Sequence, residues 1–378
     1  MPLAEAQQFV LGKVHSRVKF LVGNKTDIPK ILLIKLGAVG ELVMASPFLD
    51  QLRKHFPHSE IVLVVGRSSF PAVEHNPNIS RFILADDVGL YRGGGVGRSL
   101  EFFRLLCKLR REDFDLSFVL ERGMAFRLLS CLAGLPVRVG FGSVREDFFL
   151  THSVPGHQTQ SESETYLDLL RKMDIPAVFE KTFYYLSDEE KEFQNLFLER
   201  HSIVNGEQVI ALAPGAGGNT RSKTISGHWP AQNYIELINR FQSDGPCRIL
   251  LVGGPDDREI TDTIIGSCPD CLDATDLSFG EMASVLRGCS LFIGEDSARN
   301  QIAVAIGIAS IGIFNPADSR PSISFSTIND ASAAALKANS SRIEFPGAVS
   351  VDEIWQLVET MDDYCQKEIR RKNHKELF

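Results

Sequence analysis

The chain has 378 residues, a net charge of −8, and 44% hydrophobic and 23% charged residues. That length exceeds what one hydrophobic core usually organises and predicts two domains, and the acidic balance argues against a general nucleic-acid binder. No apolar run approaches the ~20 residues of a membrane span, and the start "MPLAEAQQFV" lacks the basic and apolar regions of a secretory signal.

Residues 1–29 precede the first strand. Phe9, Val14, Val18 and Leu21 recur at helical spacing, with Lys13, Arg17, Lys19 and Lys25 between them. This basic amphipathic pattern fits either a helix packed on the domain or a segment drawn to anionic lipid.

From residue 31 onward strands and helices alternate. "ILLIKL" reads as a buried strand and residues 41–55 as a helix. "EIVLVVG" and "RFILAD" follow as strands, "SLEFFRLLCKLRRE" as a helix, "FDLSFVLE" as a strand, "AFRLLSCLAG" as a helix and "RVGFG" as a strand. Residues 161–173 add a helix. Near 185–207 the texture changes, and Ser187 with Glu190 three residues on predicts a capped helix start. Strands "QVIALAPG", "CRILLVGG", "SLFIGE" and "ASIGIF" then alternate with helices, and residues 352–372 form a last helix. Such alternation means βαβ units and parallel sheets. The expectation is an α/β protein with an extension (1–29), two Rossmann-like domains (30–185 and 186–355) and a terminal helix (356–378). Ligands of such sheets bind outside the carboxyl ends of the strands, here in a cleft that both sheets face.

The seven cysteines are scattered. Cys107, Cys131 and Cys289 lie in apolar segments and read as buried thiols. "CPDC" at 268–271 has no second CxxC and no histidine pair beside it, so no metal site is expected. A reducing cytoplasm fits this usage.

Four strand-to-helix loops carry chemistry. "KLGAVGELV" lacks the G-x-G-x-x-G fingerprint, which argues against an NAD-dependent oxidoreductase. Its Gly37 and Gly40 permit close approach of a ligand, and Glu41 is either a first-turn acid favoured by the helix dipole or a general base. "APGAGGNTRSKTISGHWP" offers glycines, hydroxyls, Arg221 and Lys223 ahead of a helix, which together suit an anion. In "VGGPDDREI", Asp256 and Asp257 are first-turn acids or acceptors for ribose hydroxyls. In "IGEDSARNQIAVAIG", Asp296 or Ser297 caps a helix whose N-terminus, with Arg299, suits a nucleotide diphosphate.

Together these loops resemble glycosyltransferase family 9, the ADP-heptose:lipopolysaccharide heptosyltransferases, over residues 30–355. "LGAVGELVMASPFLDQLRKHFP" is similar to the family's G-x-x-G-D turn and helix. Pro214, Gly215, Trp229 and Pro230 match its Pro-Gly loop and Trp-Pro pair. Gly253 to Pro255 match its Gly-Gly-Pro strand end, and "DSARNQIAVAIG" its last helix start. The resemblance implies a GT-B fold: an acceptor domain, then a sugar-nucleotide domain. It implies an inverting glycosyltransferase that needs no metal or other cofactor, and that moves a heptose-like sugar from an ADP-sugar to a lipopolysaccharide core or related glycan. It places Glu41 at the family's catalytic aspartate, one methylene longer, and His228, Ala298 and Gln301 where the family has a cation, a glycine and a histidine.

Under the same resemblance Gly37 and Gly40 lie on the acceptor side. Gly215, Thr220, Arg221, Lys223, His228, Asp256, Asp257, Asp296, Ser297, Ala298, Arg299 and Gln301 line the nucleotide sugar. Implied partners are the nucleotide sugar and a lipid-linked acceptor, with peripheral contact at the cytoplasmic face of the inner membrane and no nucleic acid. The departures at 41, 298 and 301 leave a second reading, a non-catalytic descendant that binds sugar nucleotide or serves as a scaffold.

Overall fold

In the computed structural model the described residues are 28–142, 147–156, 160–204, 206–215, 229–295, 297–314, 340–344 and 349–360. The chain divides into two compact units, Met1–Tyr185 and Leu186–Phe378.

The first unit holds β1 (Ile31–Ile34), β2 (Ile61–Gly66), β3 (Arg81–Ala85), β4 (Leu116–Val119), β5 (Arg138–Phe141) and β6 (His152–Val154). Their order in the sheet is β3-β2-β1-β4-β5-β6, and every pairing is parallel. Strands β1, β2 and β4 are buried throughout. Parallel strands covered on both faces read as continuous apolar runs for this reason. One face is covered by α3 (Asp87–Arg92), α4 (Gly95–Leu109) and α5 (Met124–Leu132), whose Leu90, Leu105, Leu109, Phe126 and Leu129 pack on Leu32, Ile34, Val62 and Val119. On the opposite side α2 (Ser46–His55) packs on α6 (Glu162–Arg171), and Phe48 meets Phe118 of β4 edge to face at 5.2 Å.

The expected helix over 41–55 is two helices, α1 (Val39–Met44) and α2, joined at Ala45. Pro47 has no N–H to donate four residues back, so the helical ladder breaks there. The Ser46 hydroxyl takes over, donating to the Val43 carbonyl at 2.6 Å. Its oxygen in turn accepts from the Phe183 N–H at 2.7 Å.

The second unit opens with α7 (Asp188–Arg200), whose start carries the capping box of Ser187 and Glu190 that the sequence predicts. Its strands are β7 (Val209–Ala213), β8 (Arg248–Val252), β9 (Leu272–Ala274), β10 (Leu291–Glu295), β11 (Ser310–Phe314) and β12 (Ser340–Glu344). Their order is β12-β11-β10-β7-β8-β9, again all parallel. Between them run α8 (Ala231–Asp244), α9 (Arg258–Ser267), α10 (Phe279–Leu286) and α11 (Ala298–Ile306). Residues 351–360 are helical and bury Ile354 and Trp355 beside Phe241 of α8; the rest of the expected 352–372 helix lies outside the described residues.

Each sheet therefore has the doubly wound order in which the local first and fourth strands are neighbours. Their outgoing loops turn to opposite faces there, and this is the switch point where ligands of such sheets bind.

Candidate active site

At the switch point of the first unit, β1 delivers Lys35 and β4 delivers Glu121. Both side chains are buried, which for charged groups requires pairing. The Lys35 ammonium bonds the Glu41 carboxylate and lies 3.6 Å from Oε1 of Glu121. The same Oε1 accepts from the N–H groups of Leu36 at 2.8 Å and Gly37 at 3.3 Å. Glu121 thus straps the loop that leads to Glu41. Glu41 sits in the first turn of α1 and is the most exposed of the three, with 23% of its side chain open to solvent. Gly40 is buried beside it.

Tyr166 of α6 closes the cluster from beneath, with the Lys35 ammonium 5.7 Å from its ring centre. Its hydroxyl is buried without a hydrogen-bond partner among the described residues. Burial, then the negative charges of Glu162, Glu41 and Glu121, push its pKa well above the ordinary phenol value, so it stays neutral. The cluster holds two carboxylates and one ammonium. Glu41 is the member that solvent reaches.

The second unit repeats the strap. Glu295, at the end of β10, accepts from Gly215 N–H at 3.1 Å and from Trp229 N–H at 3.2 Å, and Tyr234 points its hydroxyl at the same oxygen from 3.5 Å. Burial, then Glu295, raises the Tyr234 pKa well above its usual value. Glu295 therefore ties together the two ends of the 216–228 segment. Gly215 has φ +92, a conformation that a side chain disfavours, and a Cβ there would strike the Asp257 carboxylate. Trp229 is fixed further by Nε1 donating to the Val349 carbonyl at 2.7 Å.

Asp257 does not face outward toward a ribose. Its carboxylate is buried, accepts from Gly254 N–H at 3.0 Å and pairs with Arg299 Nη2 at 3.1 Å. Burial lowers the Arg299 pKa, and the neighbouring Asp257 offsets part of that shift. Arg299 is thereby held against the Gly253–Gly254 turn, where a Cβ on Gly254 would come within 2.5 Å of its Nη2. Asp256, on the 3-10 turn Pro255–Asp257, is the exposed acid of the pair. Ser297 is the N-cap of α11, yet its buried hydroxyl makes no capping bond and finds no partner among the described residues. Ala298 opens that helix half-buried, and Gln301 is buried within it.

Of the expected site residues, Thr220, Arg221, Lys223, His228 and Asp296 lie outside the described residues. The structure groups Gly215, Asp257 and Arg299 around one loop. Lys35, Glu121 and Glu295 have no site role in the sequence reading, although Lys35 and Glu295 fall within its candidate loops. Their signal was a single charge at the end of an otherwise apolar strand.

The cysteines differ in part from expectation. Cys289 is buried but Cys107 and Cys131 are only half-buried. Cys268 and Cys271 sit in the core of the second unit. Burial, then Cys268, pushes the Cys271 thiol up to about 12, which keeps it protonated and unreactive.

Residues 102–342 match the sequence profile of glycosyltransferase family 9 (heptosyltransferase). The chain belongs to glycosyltransferase family 9. Among curated relatives, lipopolysaccharide heptosyltransferase 3 of Escherichia coli (strain K12) is 24% identical over 290 residues, covering 74% of this chain and 80% of the relative. Lipooligosaccharide heptosyltransferase 2 of Haemophilus ducreyi is 22% identical over 299 residues, covering 73% and 80%. Among solved structures, the family 9 glycosyl transferase of Veillonella parvula has a TM-score of 0.74 at 18% identity, covering 89% of this chain and 98% of that one. The E. coli ADP-heptose lipopolysaccharide heptosyltransferase II has a TM-score of 0.68 at 18% identity, covering 90% and 99%. The fold class is GT-B, two doubly wound α/β domains, and this family 9 chain is a glycosyltransferase. The profile match begins at residue 102, so the Lys35–Glu41 part of the site rests on its geometry.

Proposed function

We propose that this family 9 enzyme transfers a heptosyl group from an ADP-sugar to the lipopolysaccharide core or a related glycan, with inversion and without a metal. The observation that carries the reading is the Lys35–Glu41–Glu121 cluster at the first switch point. The names of the relatives support the sugar and the acceptor class. They also favour transfer over a purely binding role.

In this mechanism an acceptor hydroxyl attacks the anomeric carbon on the face opposite ADP. The new C–O bond forms as the bond to the ADP oxygen breaks, and ADP leaves with that electron pair. The hydroxyl proton passes to Glu41. Glu41 is the carboxylate of the cluster that solvent reaches, so it is the one an acceptor hydroxyl can approach. Lys35 fixes the direction of the Glu41 oxygens, and Glu121 fixes both Lys35 and the loop. Misplacement of a reacting group on the order of 1 Å can cost about a hundredfold in rate, so the strap matters for a base one methylene longer than the family's.

The donor belongs to the second unit. The pyrophosphate meets Arg221, Lys223 and the start of α11, and Asp296 orients sugar hydroxyls. Asp256 is the acid exposed for a ribose, with Gly215 allowing the backbone to approach. These cations and N–H groups stabilise the charge that grows on ADP. Among the described residues no helix is long and apolar enough to cross a membrane. Action on a lipid-linked acceptor at the cytoplasmic face of the inner membrane belongs to this proposal.

The test is incubation with ADP-heptose and a heptose-deficient lipopolysaccharide core, read by mass spectrometry, with GDP- and UDP-sugars as controls. Addition of a heptose from the ADP donor supports the reading. Binding of ADP-heptose with neither transfer nor slow hydrolysis would instead favour the non-catalytic alternative.

A further inference from the structure

Helix α4 contradicts the usual pattern of a surface helix. Its inner stripe, Leu105 and Leu109, packs on the first sheet. Its outer stripe is apolar as well: Val96, Leu100 and Phe103 follow one another at helical spacing and are 86%, 66% and 62% exposed. A helix apolar on both sides needs a cover on both.

The exposure continues across the same layer. α4 packs on α5, and α5 on the 3-10 turn Asp147–Phe149. Met124 and Leu132 of α5 and Phe148 of that turn are also exposed, and Arg110, just past α4, donates to the Leu132 carbonyl at 3.0 Å, joining the two helix ends. With Val88 of α3, this one layer carries seven of the eleven large hydrophobic residues exposed among the described residues. Scattered exposed leucines need no explanation, but a concentration on one face does.

Charge selects the occupant. From Arg92 to Arg111 the chain has six basic residues, Arg92, Arg98, Arg104, Lys108, Arg110 and Arg111, and one acid, Glu101. All six bases are exposed and Glu101 is buried. This stretch is strongly positive within a chain of net charge −8. Apolar side chains rimmed by arginine and lysine fit a membrane surface bearing anionic headgroups, where the apolar groups enter the headgroup–acyl boundary and the cations meet phosphates.

We infer that the outer face of α4, continued by α5 and the 147–149 turn, is the surface by which this enzyme lies on an anionic membrane. The inference deepens the proposed function, since it rests on an acceptor carried in a lipid layer. It places the contact on the unit that bears Glu41.

The test uses the full chain and vesicles of phosphatidylcholine with or without phosphatidylglycerol. Wild type should sediment with the anionic vesicles, less so at high salt. A triple variant, Arg98→Glu, Lys108→Glu and Arg111→Glu, which leaves the Arg104–Glu101 ion pair intact, should bind about a hundredfold more weakly, since each basic residue near such a surface contributes about 1 kcal/mol. A second variant, Leu100→Ser with Phe103→Ser, should also lose binding. Both variants change only exposed side chains, so their melting temperatures should match wild type. Transfer to a short, lipid-free acceptor should be unchanged in both; absence of that transfer from wild type would count against the activity and leave the vesicle result standing. Equal vesicle binding by wild type and both variants would overturn the inference. So would wild type that ignores vesicles yet forms a dimer that Phe103→Ser dissolves, since the face would then meet a second copy.

Discussion

Lys35 and Glu121 meet at 3.6 Å, buried, where β1 and β4 separate. Each alone would be a charge left in the core. Together with Glu41 they form a group in which one ammonium is shared by two carboxylates. Removing Lys35 should therefore do two things. Lys35→Met should destabilise the first unit by about 3 kcal/mol, the loss expected when a buried charge loses its partner. In protein that still folds, the acidic limb of the kcat/KM profile should move to higher pH, because Glu41 loses the cation that favours its charged form. Denaturant melts and a pH–rate series check both; an unmoved acidic limb would separate Lys35 from the proton transfer.

Glu121→Gln keeps one acceptor oxygen, enough for the Leu36 and Gly37 N–H groups that share Oε1, but removes a charge. The loop strap should survive, with stability within about 1 kcal/mol of wild type. Glu41 then no longer shares the Lys35 ammonium with a second carboxylate, so the acidic limb should move to lower pH, opposite to Lys35→Met. A shift in the same direction for both variants would rule out a shared ammonium.

Much of the fold was legible because both sheets are parallel and buried. Apolar strands such as "ILLIKL" and "EIVLVVG", separated by helices, leave few alternatives. The three-residue strands β6 and β9 escaped because their sequences, "HSV" and "LDA", carry no apolar run. The loops that bear Glu41 and Gly215 were legible from glycines at strand ends. The straps were not. Glu121 reaches the Leu36 N–H across 85 residues of sequence, and only the parallel pairing of β1 with β4 brings them together. Asp257 illustrates the reverse: its position after a strand suits a ribose, but its burial beside Arg299 became visible only in three dimensions.

Glu295 should act on donor binding through the loop it ties. Replacing it by Ala leaves the N–H groups of Gly215 and Trp229 without their acceptor, at about 1 to 3 kcal/mol of stability. The KM for the ADP-sugar should rise more than kcat falls, since Gly215 and Trp229, which flank the segment carrying Arg221 and Lys223, lose their shared acceptor. Steady-state kinetics at saturating acceptor would check this; a fall in kcat alone would place Glu295 nearer the chemistry than its hydrogen bonds do.

At the opposite end of the first sheet Glu112 bonds Lys30 at 2.8 Å and also meets Arg81. Burial acts to raise the Glu112 pKa, but bonds to Arg81 and Lys30 outweigh it and hold the group below the ordinary carboxylate value. A carboxylate whose folded pKa is depressed stabilises above its unfolded pKa and loses that contribution as pH falls through the folded one. Glu112→Gln should therefore cost about 1 kcal/mol at neutral pH, and the difference from wild type should shrink as pH drops into the acid range. Urea melts at neutral and acid pH would show it; a constant difference would mean the loss is packing and not charge.

In the proposed reaction Glu41 takes the proton of the acceptor hydroxyl, and Glu41→Gln removes that function while keeping the side chain's size. The measurement is turnover of ADP-heptose with a lipopolysaccharide-core acceptor, alongside ADP affinity by calorimetry on the same protein. Turnover should fall at least about a hundredfold, as for loss of a general base, with ADP affinity unchanged because the proposed nucleotide site lies on the second unit. Turnover equal to wild type would contradict this and remove Glu41 from the mechanism.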